Sequence, residues 1–368
     1  MDRFFDLVTE SARSAGPNAK TTPDQSTGLI KLNANESVYG PSPKALAAMR
    51  EALTDSHLYP DNDSPALRQK LAQRHGILPE QVVAGNGTTA LLGVIARTLL
   101  QSGLNAVTSA CSFISYPAVT QTACARLVEV PLIDHGYNLE GILNLIDTNT
   151  RIVFVANPNN PTGSFLDAVA IDRFLERVPK HVIVVLDEAY SDYAQYFAGK
   201  RDVEYTHSLG YVRANRNVLV LRTFSKAHGL AGARVGYAIG PAELIAYIAQ
   251  LQEVFALSTI AQAAALAAID DEEHVQQALE KNAAQSEWME QKLKTLGHDI
   301  LPTWTNFIAI EIGEDSREFA RRLRKRGVLV RPLSAWGAPT SIRVTLGTPE
   351  QNQFFLEALA SERQCLRK

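Results

Sequence analysis

Four short runs, at residues 82–84, 152–156, 182–186 and 218–221, are wholly apolar and mostly β-branched. Each ends abruptly in a polar or glycine-bearing break: GNGTT, NPNNPTG, DEAY and RTFSK. A strand with one wet face alternates apolar and polar residues. These runs do not alternate, so both faces need cover, and a mostly parallel sheet with helices on either side provides it. The amphipathic stretches between the runs read as those helices. In such sheets ligands bind outside the carboxyl ends of the strands. The four breaks all fall at those ends and point to one shared site.

With 368 residues the chain has room for a second domain. Residues 1–40 are irregular and polar and read as an N-terminal segment joining the small domain and the active site. Residues 41–270 read as a large ligand-binding domain and 271–368 as a small C-terminal one. Ser42 and Pro43 start a helix carrying Ala45, Leu46, Met49 and Leu53. From about 240 to 295 the chain is alanine-rich and helical. TNFIAIEI, a helix through Arg324, GVLVRP and SIRVTLGT then read as an α+β unit. The fold class expected is therefore α/β, a large domain with a smaller α+β domain against it and a cleft between them.

Charge and motif content exclude several functions. Thirty-six basic against 39 acidic residues leave a formal charge of −3, no general reason to bind nucleic acid or an anionic membrane. The basic run 321–326 reads as the solvated face of a helix that turns Phe319 and Leu323 inward. The N-terminus lacks a secretory pattern and no stretch is long enough to span a bilayer, so a cytoplasmic protein is expected. Cys111, Cys124 and Cys365 show no metal spacing and read as free thiols. The eight histidines form no H-x-x-x-H pair, and Asp61-Asn62-Asp63 lacks the glycine and glutamate of a calcium loop. Ala90 stands where a dinucleotide fingerprint needs its third glycine, and no nucleotide P-loop or G-x-S-x-G motif is present. No metal is expected.

The breaks carry chemistry of another kind. Asp187 follows its apolar run directly, where an unpaired charge is costly. Either a cationic partner meets it or it caps a helix. Lys226 leaves the core in the same way. It is placed to form a Schiff base with a carbonyl, or else snorkels to the surface. Ser225, Ala227, Gly229 and Gly232 are small enough to let a flat ligand approach the backbone. Ser225 and Arg234 offer donors to a phosphate, and Gly87, Thr88 and Thr89 open a helix whose first N–H groups offer more. Together they fit an aldehyde cofactor with a phosphate tail.

In order along the chain, KLNANESVYGPSP, YPD, GNGTT, NPNNPTG, VVLDEAY, RTFSKAHGLAGARVGY, GVLVRP and IRVTLGT resemble the fold type I pyridoxal-phosphate aminotransferases, and within them the histidinol-phosphate aminotransferase branch. The resemblance runs from about Lys31 to Thr348. It implies that Lys226 holds pyridoxal 5'-phosphate covalently and then moves the substrate's proton, while Asp187 pairs with the pyridine nitrogen. Asn160 and Tyr190 would hydrogen-bond the ring oxygen, and Phe113 would stack on the ring. Ser225, Arg234 and Gly87-Thr88-Thr89 would hold the phosphate, with Tyr59 reaching it from the neighbouring subunit of a homodimer. Arg343 would grip the substrate's anionic end, joined by Arg331 and Tyr39 and with Asn160 nearby.

The implied reaction converts L-histidinol phosphate and 2-oxoglutarate to imidazole acetol phosphate and L-glutamate. Thr88-Thr89-Ala90 and Cys111-Ser112-Phe113 depart from the Ser-Asp-Glu and Pro-Thr-aromatic patterns frequent in the branch. The alternatives are an aromatic amino acid aminotransferase, a decarboxylase on the same scaffold, and a cofactor-binding regulator.

Overall fold

The computed structural model describes residues 7–9, 12–13 and 28–366, with side chains to residue 362. Most of the 1–40 segment, and the Cys365 side chain, lie outside the described residues. Strand β1 (Ile30–Lys31) belongs to a different layer from the next seven, β2 (Val82–Gly85), β3 (Asn105–Ser109), β4 (Arg126–Val130), β5 (Thr150–Ala156), β6 (Ile183–Asp187), β7 (Val218–Thr223) and β8 (Gly236–Ile239). After helices Ala242–Gln250, Thr259–Ile269 and Glu272–Thr295 come β9 (Phe307–Glu311), β10 (Val328–Leu329), β11 (Arg331–Pro332) and β12 (Ser341–Thr345). Helix Pro349–Leu366 follows.

β2 to β8 form one sheet in the order β2-β8-β7-β6-β5-β3-β4. Among the described residues, β8 alone runs opposite to the other six strands of this sheet. The four apolar runs are β2, β5, β6 and β7, as expected, and β3, β4 and β8 are additions to the sequence reading. Register sets Ala156 beside Asp187 and Asp187 beside Leu221, so three chain exits open side by side. Val184 and Val185 in β6 are fully buried and Leu186 nearly so. At ~1.5–3 kcal/mol for each such side chain, this strand can carry a costly charge at its end.

The second core gathers Met289, Leu293, Ile308, Ile310, Phe319, Leu323, Ile342, Val344 and Phe355, and takes in Leu32 from the N-terminal side. β1 pairs in parallel with β10, and β11, β12 and β9 make an antiparallel sheet. Helix Ser316–Lys325 buries Phe319 and Leu323 as expected. Arg321 pairs with Glu318 on the exposed side, whereas Arg322 turns to Glu314 and to the buried Glu362 of the last helix, so the basic run is only partly the solvated face expected.

Ser42 caps helix Pro43–Ala52 by accepting from Ala45 N. Its inner face is narrower than expected: Ala45 is buried, whereas Leu46 is exposed and Leu53 falls in the following 3₁₀ turn, also exposed. Among the described residues no helix is long and apolar enough to cross a membrane.

Candidate active site

Asp187 ends β6 with 4% of its surface exposed. Its Oδ2 accepts from the Tyr116 hydroxyl at 3.0 Å, and its buried Oδ1 has no partner. Burial pushes the carboxyl up to about 6 from an ordinary 3.8, outweighing the hydrogen bonds from the Tyr116 hydroxyl and the Ala189 N–H and the nearby charge of Lys226. The expected cationic partner is not supplied by the described residues. Nor does Asp187 cap a helix: the N-cap of Ser191–Arg201 is Tyr190, with no side-chain cap bond. A buried carboxylate oxygen with no donor is a costly feature unless a ligand completes it.

Lys226 leaves the end of β7, across the same opening. Its Nζ donates to the Asn35 carbonyl at 3.1 Å and lies 5.4 Å from the centre of the Tyr190 ring. Ser225 is locked beside it, receiving a hydrogen bond from Thr223 Oγ1 at 3.0 Å while its N–H donates back to that oxygen at 3.1 Å. Arg234 holds the Ala231 carbonyl at 3.0 Å and reaches Ser225 Oγ at 3.5 Å.

Gly87 opens helix Gly87–Leu99 at φ +79°, and a Cβ there would collide with the Arg234 guanidinium. A Cβ on Gly236 of β8 would stand 2.7 Å from Thr88 N. Free helix N–H groups, a hydroxyl and a guanidinium thus converge around a cradle that added side-chain atoms would fill, which suits a phosphate. Gly229 does something different from the expectation. It packs against the Gly40 carbonyl and leaves no room there for a flat ligand, and Ala227 is buried in a separate apolar cluster.

One pocket brings together Thr88, Thr89, Phe113, Asn160, Asp187, Tyr190, Ser225, Lys226 and Arg234, with Ala156, Pro158, Ala189 and Thr223 completing the wall. Phe113 meets Tyr116 edge-on at 5.6 Å. Beyond Asn160 lies Arg343, 5% exposed, which donates to Asn160 Oδ1 and to the Asn33 carbonyl at 3.1 Å. Its Nε is buried without a partner, and burial, with Arg331 nearby, brings its pKa down to about 10. Arg331 stands directly opposite Arg343 across β11 and β12 and donates to Asn33 O at 3.2 Å.

Gly87, Arg331 and Arg343 are not part of this pocket's lining, and Tyr39 and Tyr59 are engaged elsewhere. The Tyr39 ring lies 5.6 Å from Lys281 Nζ, and Tyr59 is 82% exposed, stacked on Phe255 at 4.6 Å. The sequence reading gave no role to Tyr116, which tethers Asp187, or to Asn35, which touches both Lys226 and Tyr190. Asn35 stands inside KLNANESVYGPSP, the signal that could have found it.

The site can therefore hold a flat ring that brings a proton-bearing nitrogen to Asp187, a carbonyl carbon to Lys226 and an anionic tail to the helix start. Comparison with known proteins identifies the family. The family model for aminotransferase class I and II matches residues 27–359. Histidinol-phosphate aminotransferase 2 of Pseudomonas fluorescens is 42% identical over 331 residues, 90% of this chain and 88% of that one. Histidinol-phosphate aminotransferase of Moorella thermoacetica is 42% identical over 332 residues, 90% of this chain and 84% of its own. Among solved structures, histidinol-phosphate aminotransferase from Sinorhizobium meliloti in complex with pyridoxal-5'-phosphate superposes with a TM-score of 0.86 at 29% identity, covering 100% of this chain and 99% of that one.

Proposed function

The chain belongs to the class I and II aminotransferase family, and from that premise we propose that it is a pyridoxal-phosphate-dependent histidinol-phosphate aminotransferase of histidine biosynthesis. The observation that carries the cofactor half of this reading is the buried, unpartnered Asp187 Oδ1 across the pocket from Lys226. Pyridoxal phosphate, when bound, supplies an electron sink conjugated to the carbon that carries the substrate's amino group.

The chain's own residues do the rest. Lys226 Nζ would anchor the cofactor and, once displaced, would carry the proton from the substrate's α-carbon to the cofactor's C4′ carbon. Asp187 Oδ1 keeps a proton on the ring nitrogen by pairing with it as a carboxylate, and Tyr116 holds that carboxylate in place. Tyr190 Oη and Asn160 Nδ2 donate to the ring oxygen, while Phe113 covers one ring face. Thr88, Thr89, Ser225 and Arg234 fix the phosphate, and with it the angle at which Lys226 meets the substrate.

The substrate half is supported by the pair Arg343 and Arg331, two cations on facing strands that now donate to this chain's own oxygens. An anionic substrate end relieves both, the distal phosphate of histidinol phosphate in one half-reaction and the carboxylates of 2-oxoglutarate in the other. The test is an amino-transfer assay with 2-oxoglutarate, offering histidinol phosphate or phenylalanine. Turnover of the first is expected; brisk turnover of phenylalanine alone would replace this reading with an aromatic aminotransferase.

A homodimer completes the proposal. Tyr59 and Phe255 form an exposed apolar stack, with Leu58, Tyr247, Leu251 and Val254 exposed nearby in sequence, a surface suited to burial against a second copy. Tyr59 would then reach the partner's phosphate site, and sedimentation at micromolar concentration should give twice the chain mass. The free Cys111 and Cys124 support a cytoplasmic setting.

A further inference from the structure

Asn35 is only 1% exposed and holds φ +56°, a left-handed conformation that asparagine tolerates better than most residues. That backbone turn aims its carbonyl at Lys226 Nζ, 3.1 Å away, and at Asn306 Nδ2, also 3.1 Å away. Its side chain is oriented by Thr345, whose Oγ1 accepts from Asn35 N at 2.9 Å and donates to Asn35 Oδ1 at 3.3 Å. With the amide oxygen turned to Thr345, the amide nitrogen faces Tyr190 and donates to its Oη at 2.8 Å. A phenol oxygen that accepts in this way presents its own proton elsewhere. No described residue accepts that proton, and Tyr190 lines the pocket.

We propose that Asn35 is a positioning residue that sets both reactive side chains: its carbonyl holds Lys226 Nζ, and its amide turns the Tyr190 hydroxyl into a donor facing the pocket. This rests on the aminotransferase reading above. Thr345 ends β12 and Asn306 precedes β9, and the two strands pair Thr345 with Phe307. Asn35 is therefore fixed to the second core while it touches two residues of the large sheet's site, so a shift of that core is felt by Lys226 and Tyr190 together.

Asn35→Asp keeps size and backbone tolerance but turns the donor into an acceptor, which draws the Tyr190 proton back and adds negative charge. Asn35→Gly keeps the left-handed turn and the carbonyl and removes only the amide. The pH-dependent visible absorbance of the cofactor-loaded enzyme is titrated without substrate, beside steady-state kinetics and thermal melting of cofactor-free protein.

The midpoint should rise by about one pH unit in Asn35→Asp and by less in Asn35→Gly. In Asn35→Gly, kcat should fall about 10-fold with KM within about 3-fold, and in a Tyr190→Phe background the same change should cost less than about 2-fold. An unchanged midpoint in both variants, or an undiminished loss in the Tyr190→Phe background, overturns the proposal even if melting temperatures fall. Should Asn35→Asp fail to fold, Asn35→Gly and Thr345→Val, which frees the amide to rotate, decide between the same outcomes. Wild-type protein without any cofactor absorbance would sink the aminotransferase reading, and this inference with it. A normal wild-type band that is blind to Asn35 sinks this inference alone.

Discussion

Asp187 and Arg343 are both buried ionisable side chains of one site, and they are completed differently. Asp187 keeps an oxygen with no partner at the end of a fully packed strand, whereas Arg343 donates to Asn160 and Asn33, leaving only Nε alone. Holding Asp187 in its raised state corresponds to ~3 kcal/mol, which the burial of Val184, Val185 and Leu186 offsets. A gap left open in a rigid sheet suits a resident group. A cation whose donors are met by the chain's own oxygens, on a separate small sheet, suits a group that comes and goes, because those oxygens would take over whenever such a group left.

If the resident half is read correctly, Lys226→Ala has the largest effect. The covalent absorbance band should vanish and kcat should fall on the order of 10⁴-fold. A variant that keeps its band breaks the comparison at once. Asp187→Asn should retain cofactor by its phosphate contacts yet lose about 10³-fold in kcat, because the ring nitrogen no longer keeps its proton.

The same substitution should act in the opposite direction on cofactor-free protein. Asp187's folded pKa, about 6, lies above its ordinary 3.8, so the folded chain holds the proton more tightly than the unfolded chain. Its contribution is present in full below about pH 4 and is lost as pH rises through 6. Urea unfolding should therefore find Asp187→Asn more stable than wild type at pH 7 by up to ~3 kcal/mol, with the difference closing toward pH 4. Equal stability at both pH values would mean that Asp187 is not the strained member of the site.

The two halves also differ in how far the sequence discloses them. β2, β5, β6 and β7 are legible because their apolar runs are buried almost throughout, and the residues that leave them, Asp187 and Lys226, are conspicuous for that reason. β3 is hidden by Asn105 and Thr108, polar residues whose hydrogen bonds to Asp147 and the Phe154 carbonyl are satisfied inside the fold. β4 is hidden by its position at the sheet edge, and β8 by Gly236, which close approach to Thr88 requires.

Arg331 and Arg343 are visible as residues, but their facing register across β11 and β12 is a tertiary fact. Asn35 is visible as a member of KLNANESVYGPSP, but its role is not: its partners Tyr190, Lys226, Asn306 and Thr345 lie 155, 191, 271 and 310 positions away, so what it touches is a tertiary fact.

On the transient half, Arg343→Gln should raise KM for the phosphorylated donor about 100-fold, the worth of two hydrogen bonds to a charged group, and change kcat less. The pocket and the cofactor band should stay intact, because Asn160 keeps its place in the wall. A loss of the band in this variant would show that the two halves are not separable.

Arg331→Gln should have the smallest effect, about 10-fold in KM. Arg331 is only half-buried and donates to a backbone carbonyl, so water can replace much of what it offers, and salt should weaken its contribution more than that of Arg343. Raising the salt concentration should therefore raise KM less in Arg331→Gln than in wild type. An equal or steeper rise would mean that the Arg331 charge does not help to bind the anion.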